Sequence, residues 1–142
     1  MSSRSYPREQ LLAGVEILAP TLRTHGFVFE LEAEGTGSGG PFARGTFKKD
    51  NRFLDLHFRY SLGLVRYHIN QESLDHETYM HLLGVHGRSR YPGFPKEPLD
   101  SFRDLASDIA MYCSDFTIGD GQQFLVLASR SKQNPMMFRG IS

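Results

Sequence analysis

The sequence predicts an α+β fold: one leading helix, a four-stranded antiparallel meander, and two or three helices packed on one face of that sheet. Three observations carry this prediction. Leu11, Val15, Leu18 and Leu22 recur at helical spacing. After Gly26 the apolar period drops to two, over four segments joined by short connections. From Ser73 onward the spacing of three and four returns. Strands grouped in sequence form a meander, and helices grouped after them cover one of its faces.

Each element follows from local chemistry. Pro7 suits the first turn of the leading helix, where its missing N–H is harmless, and Gly26 suits a left-handed stop after it. Pro20 is the misfit, because a mid-helix proline removes a backbone bond, so a kink there or an early end at Ala19 is expected. Phe27, Phe29 and Leu31 alternate with Val28, Glu30 and Glu32 as a half-buried strand. The Gly35–Gly40 stretch reads as a flexible hairpin connection, too rich in glycine for regular structure. Phe42 to Lys49 is the second strand, Asp50-Asn51 a tight turn, and Arg52 to Tyr60 the clearest strand, with Leu54, Leu56, Phe58 and Tyr60 on one side. Leu64 to Asn70 follows, with Val65, Tyr67 and Ile69 opposite Arg66 and His68.

In the second half, Ser73 or Asp75 caps a short helix that Gly84 stops. Residues 85–98 carry three prolines and two glycines and read as a loop. The longest apolar stripe is Leu99, Phe102, Leu105, Ile109, Tyr112 and Phe116, which defines the main helix. A last short helix covers Gln122 to Ser131 with Asp120 as its N-cap, a strand through Phe124 to Leu127 being the alternative. The tail from Lys132 is expected to be loose, with Met136, Met137 and Phe138 available to dock. No internal repeat or linker divides the 142 residues, which matches one domain.

Composition narrows the function classes. Sixteen basic residues balance sixteen acidic ones, which argues against the net basic footprint of non-specific nucleic-acid binding. The single cysteine, Cys113, forms no intrachain disulfide and sits in an apolar run, as a buried hydrophobe would. The N-terminus lacks the apolar stretch of a signal peptide and no segment is apolar enough to span a bilayer, so a cytoplasmic setting and no membrane partner are expected. No cofactor is implied. The glycine-rich stretch leads into a strand rather than a helix, the wrong context for a phosphate-cradling loop. No glycine-flanked nucleophilic serine, cysteine–histidine pairing or metalloprotease motif is present, which weighs against an enzyme without excluding one.

Two regions remain as candidate sites. On the outward sheet face, alternation places His57 and Arg59 beside Arg66 and His68, two imidazoles and two guanidiniums suited to a phosphate or carboxylate. The bland alternative is a ladder of cross-strand ion pairs with Glu30, Glu32 and Asp55. The long loop adds Arg88, Arg90 and Lys96 to Tyr91 and Phe94, a composition common in protein interfaces. The alternative there is that the aromatic rings plug the core. Glu77 and His81 are four apart, and with His86 they offer a metal only if the fold converges them; no metal site is assigned. The leading expectation is therefore a protein-binding or self-associating module, homodimerisation included. The alternative is a small anionic ligand on the sheet face, with or without turnover. Single-stranded nucleic acid is the weakest reading, because exposed stacking aromatics are lacking on that face.

Overall fold

A computed structural model describes residues 6–37, 40–93 and 96–133. The fold is α+β with five strands rather than four. Helix α1 (Tyr6–Leu22) and a 3-10 turn at Arg23–His25 lead into β1 (Val28–Gly37), β2 (Gly40–Lys49), β3 (Arg52–Phe58), β4 (Leu62–Ile69) and β5 (Glu72–Asp75). All neighbours are antiparallel, in the order β1-β2-β3-β4-β5. Helices α2 (His76–Leu82), α3 (Pro98–Tyr112), α4 (Ser114–Thr117) and α5 (Gln122–Gln133) follow.

The period-two segments lie close to where the sequence puts them, but β3 ends at Phe58, so Tyr60, expected on its inner side, is 67% exposed, and β4 starts at Leu62 rather than Leu64. Ala43, Phe47, Leu54, Leu56, Phe58, Val65, Tyr67 and Ile69 are buried against Leu11, Leu18, Leu22, Phe102, Leu105 and Ile109 of α1 and α3. Gly14 lets those two helices meet closely, since a methyl group there would collide with the Phe102 ring. Burial of about twelve large side chains at roughly 2 kcal/mol each is what drives this assembly.

Several expectations need correction. The fifth strand was hidden because it is four residues long and ends in Asp75, whose carboxylate caps α2 by accepting the Thr78 N–H at 2.8 Å. Of the two cap candidates, Asp75 holds the position and Ser73 is in the strand. The glycine-rich stretch is not a free connection: β1 runs to Gly37 and pairs with β2 from Gly40, with Gly35 opposite Phe42. A large ring lies beside that glycine and substitutes for the side chain it lacks. The leading helix does not end at Ala19 but continues past the exposed Pro20 to Leu22. The main helix ends at Tyr112, and Phe116 belongs to α4. The last element is a helix, with Asp120 accepting the Gln122 N–H at 3.0 Å. Met136, Met137 and Phe138 lie outside the described residues.

Among the described residues, the buried apolar side of the sheet faces α1 and α3, and no described helix covers its outer face. Along one row of that face the cross-strand partners run Glu30, Thr46, Asp55, Arg66 and Asp75. No helix among the described residues is long and apolar enough to cross a membrane.

Candidate functional site

The outer face carries a shallow cavity of about 330 Å³ whose walls include Arg44, Thr46, Asp55, His57, Leu64 and Arg66. Its position follows from the strands: even-numbered residues of β2, odd-numbered residues of β3, and Leu64, Arg66 and His68 of β4 point outward, whereas Leu62, across the register shift, is buried in the core. The register shift between Leu56 and Phe58 takes His57 out of step with β4 and opens the surface beside Leu64.

The four residues singled out on this face separate into two groups. His57 and Arg66 line the cavity, with Arg44 beside them. Arg59 does not; it donates to the Gly40 carbonyl at 2.9 Å and lies over the Phe42 ring, 5.7 Å from its centre. His68 is engaged by Asp55, its Nε2 lying 2.7 Å from Oδ2. Arg44 is an outward cation of β2 like Lys48, and nothing in the sequence distinguishes it. Its role comes from standing directly across from His57.

The carboxylates of the site are satisfied from within. The Thr46 hydroxyl donates to Asp55 Oδ1 at 2.9 Å and also meets Glu32, so one proton is shared between two acceptors. Lys48 approaches Glu32 at 3.8 Å and Glu30 at 3.1 Å. Burial acts to raise the Asp55 pKa, but hydrogen bonds from His68 and Thr46, with the charges of His68 and Arg66, outweigh it and hold the group below its ordinary value. By contrast, Arg44 and Arg66 make no hydrogen bond or ion pair with any described residue. Burial lowers the His57 pKa, and the positive charges of Arg59 and Arg44 lower it further. The His57 ring stacks on Phe42, 5.6 Å between centres and 11° between planes. The cavity thus offers two uncommitted guanidiniums, a neutral imidazole and an apolar wall at Leu64.

The loop between α2 and α3 is organised by a group that sequence reasoning missed. Asp108 of α3 is fully buried, and its carboxylate accepts the Arg90 and Tyr91 N–H groups, both at 2.8 Å. It also accepts from His76 Nε2 at 2.9 Å, and His76 Nδ1 lies 2.7 Å from the Tyr67 hydroxyl. The Cys113 thiol donates weakly to that hydroxyl at 3.7 Å. One direction of donation satisfies the whole chain: Cys113 to Tyr67, Tyr67 to His76, His76 to Asp108. Burial pushes the Cys113 thiol up to about 12 and the Tyr67 phenol well above its ordinary value, so both keep the proton they donate. Burial also acts to raise Asp108, but the bonds from His76 and the two backbone amides prevail and lower it. The signal for this network was present: Asp108 lies on the apolar stripe of α3 between Leu105 and Ile109, and His76 precedes buried Tyr79 and Met80.

The ring of Tyr91 is buried and its hydroxyl donates to the Leu62 carbonyl at 2.9 Å, so it is part of the core. Arg88, Arg90 and Lys96 remain exposed on the loop, and Phe94 lies outside the described residues. His81 and His86 stack with ring centres 3.7 Å apart, but among the described residues no three His, Cys, Asp or Glu side chains converge to hold a metal ion.

Fold and site define an α+β domain with an open-faced antiparallel sheet. Compared with protein families, curated proteins and solved structures, the chain finds no match.

Proposed function

We propose that the protein binds a small anionic ligand on the open sheet face, between Arg44 and Arg66. One observation carries this reading: the cavity's carboxylates are satisfied by Thr46, His68 and Lys48, while neither guanidinium makes a hydrogen bond or ion pair with a described residue, Arg66 acting on Asp55 only through its charge. Arg44 and Arg66 stand two strands apart and two residues out of row, about 12 Å at the backbone, which long side chains close around one carboxylate, sulfate or phosphate. The cavity is of a size suited to a small molecule. Binding without turnover is the simpler form, since the one hydroxyl in the wall, that of Thr46, is committed to two carboxylates.

Titration calorimetry with sulfate and with succinate tests this. Replacing both arginines (Arg44→Ala with Arg66→Ala) is expected to weaken binding about 100-fold, at roughly 1.5 kcal/mol or more for each charge-assisted contact, with the melting temperature unchanged. Equal binding by the double variant overturns the reading.

A second reading is docking of an acidic protein partner on the loop bearing Arg88, Arg90 and Lys96. It is favoured by the buried Asp108 carboxylate, which accepts the Arg90 N–H and so fixes the backbone at one of these cations. The single buried thiol of Cys113 supports placing either activity in the cytoplasm.

A further inference from the structure

A second cavity, of about 430 Å³, adjoins the first, and Leu64 lines both. Its polar wall has the opposite charge. Asp75 and Glu77 stand there, with Tyr91, Pro92 and Leu62 as the apolar part. The Asp75 carboxylate accepts from Thr78 N–H and hydroxyl at 2.8 and 3.1 Å. Glu77 is exposed and makes no hydrogen bond or ion pair with any described residue. The two cavities therefore meet at the exposed side chain of Leu64, 59% accessible, with Arg44 and Arg66 lining the one and the Glu77 carboxylate lining the other.

We infer that the ligand is a zwitterion of the amino-acid or short-peptide class, with its carboxylate at Arg44 and Arg66 and its ammonium at Glu77 and Asp75. This rests on the anion-site reading and narrows it. Two features set the class. A simple anion would fill only one of the two cavities. A ligand with an apolar middle would lie over Leu64 and meet opposite charges at each end. The span also fits: Arg66 and Asp75 are cross-strand partners, about 5 Å apart at the backbone, and Arg44 lies two strands further from β5 than Arg66 does. Ligand ends separated by one or two strand spacings, about 5–10 Å, match two or three extended residues at roughly 3.4 Å each.

The test compares three probes by calorimetry on the intact chain: Ala-Leu-Ala with free ends, its N-acetylated form and its C-amidated form. Free Ala-Leu-Ala is expected to bind about tenfold more tightly than either capped form, the size of one lost charge-assisted contact. In Glu77→Gln the advantage over the N-acetylated form is expected to vanish while the advantage over the amidated form stays. Glu77 is exposed, so the variant's unchanged melting temperature serves as the folding control. Equal binding of the free and N-acetylated forms overturns the inference. So does failure of all three peptides to bind. In either case sulfate binding that depends on Arg44 and Arg66 would leave the anion site standing, and its loss would remove both.

Discussion

The molecule contains the same histidine–aspartate pair twice, in opposite surroundings. His76 and Asp108 meet at 2.9 Å with side chains 2% and 1% exposed; His68 and Asp55 meet at 2.7 Å with 27% and 47% exposed. Bond lengths are nearly equal, so geometry alone does not separate them. Solvent does. In the buried pair every polar atom must find a partner inside the protein, and the donors recruited include two backbone amides of the loop, so the pair locks a connection to a helix. At the surface water competes for each group, the pair adds little, and its neighbours Arg44 and Arg66 stay uncommitted. One chemistry thus fixes the fold where it is dry and lines a binding surface where it is wet.

The largest expected difference is in stability. Asp108→Ala would leave His76 Nε2 and two amides without an acceptor, costing about 3–5 kcal/mol, whereas Asp55→Ala should cost under about 1 kcal/mol. Urea unfolding of both variants measures this. Faster amide exchange at Arg90 and Tyr91 should accompany the first only.

A smaller contrast lies inside the core. Tyr67 and Tyr79 are both fully buried, but the Tyr67 hydroxyl joins the hydrogen-bond chain while the Tyr79 hydroxyl has no hydrogen-bond partner among the described residues. Tyr67→Phe is therefore expected to destabilise by about 1–2 kcal/mol, and Tyr79→Phe to be neutral or slightly stabilising. Equal losses from the two would show that packing, and not the chain of donors, sets the energetics there.

The pH dependences are smaller still; they share one sign, stability falling with pH, but occupy different pH windows. Asp55 and Asp108 are held below the ordinary carboxylate value in the folded state, so their contributions are present above the unfolded pKa of about 3.9 and are lost as pH falls through the lower folded values. His57 is depressed, so the unfolded chain takes up its proton first, and this group opposes folding as pH falls through about 6.5. A bound anion favours the protonated imidazole. Sulfate, whose charge is constant over this range, is therefore expected to bind more tightly as pH drops from 7.5 to 5.5, and His57→Gln to flatten the profile.

Much of this architecture was legible because burial on one side of a strand writes a period of two. Leu54, Leu56 and Phe58 faced inward, and the outward placement of His57, Arg66 and His68 followed from the same alternation. What stayed hidden depends on partners distant in sequence. Strand β5 exists because β4 offers an edge to pair with, not because four residues have strong strand character. Gly35 to Gly37 extends because β2 is opposite. Clustering on the sheet face was only half readable: Arg59 and His68 share the expected face but are taken by Gly40 and Asp55, and these engagements depend on side-chain reach. Asp108 could have been found by treating a charge on an apolar stripe as a buried partner awaiting its donors.

The most direct test of the open sheet face as a binding surface is a backbone amide NMR titration with sulfate, run on the native chain and on the Arg44→Ala, Arg66→Ala double variant. The expected result is a set of shifts confined to Arg44, Thr46, Asp55, His57, Leu64 and Arg66, saturating in the native chain and absent from the variant. Shifts centred on Arg88, Arg90 and Lys96, or shifts on the sheet face that persist in the variant, would contradict it.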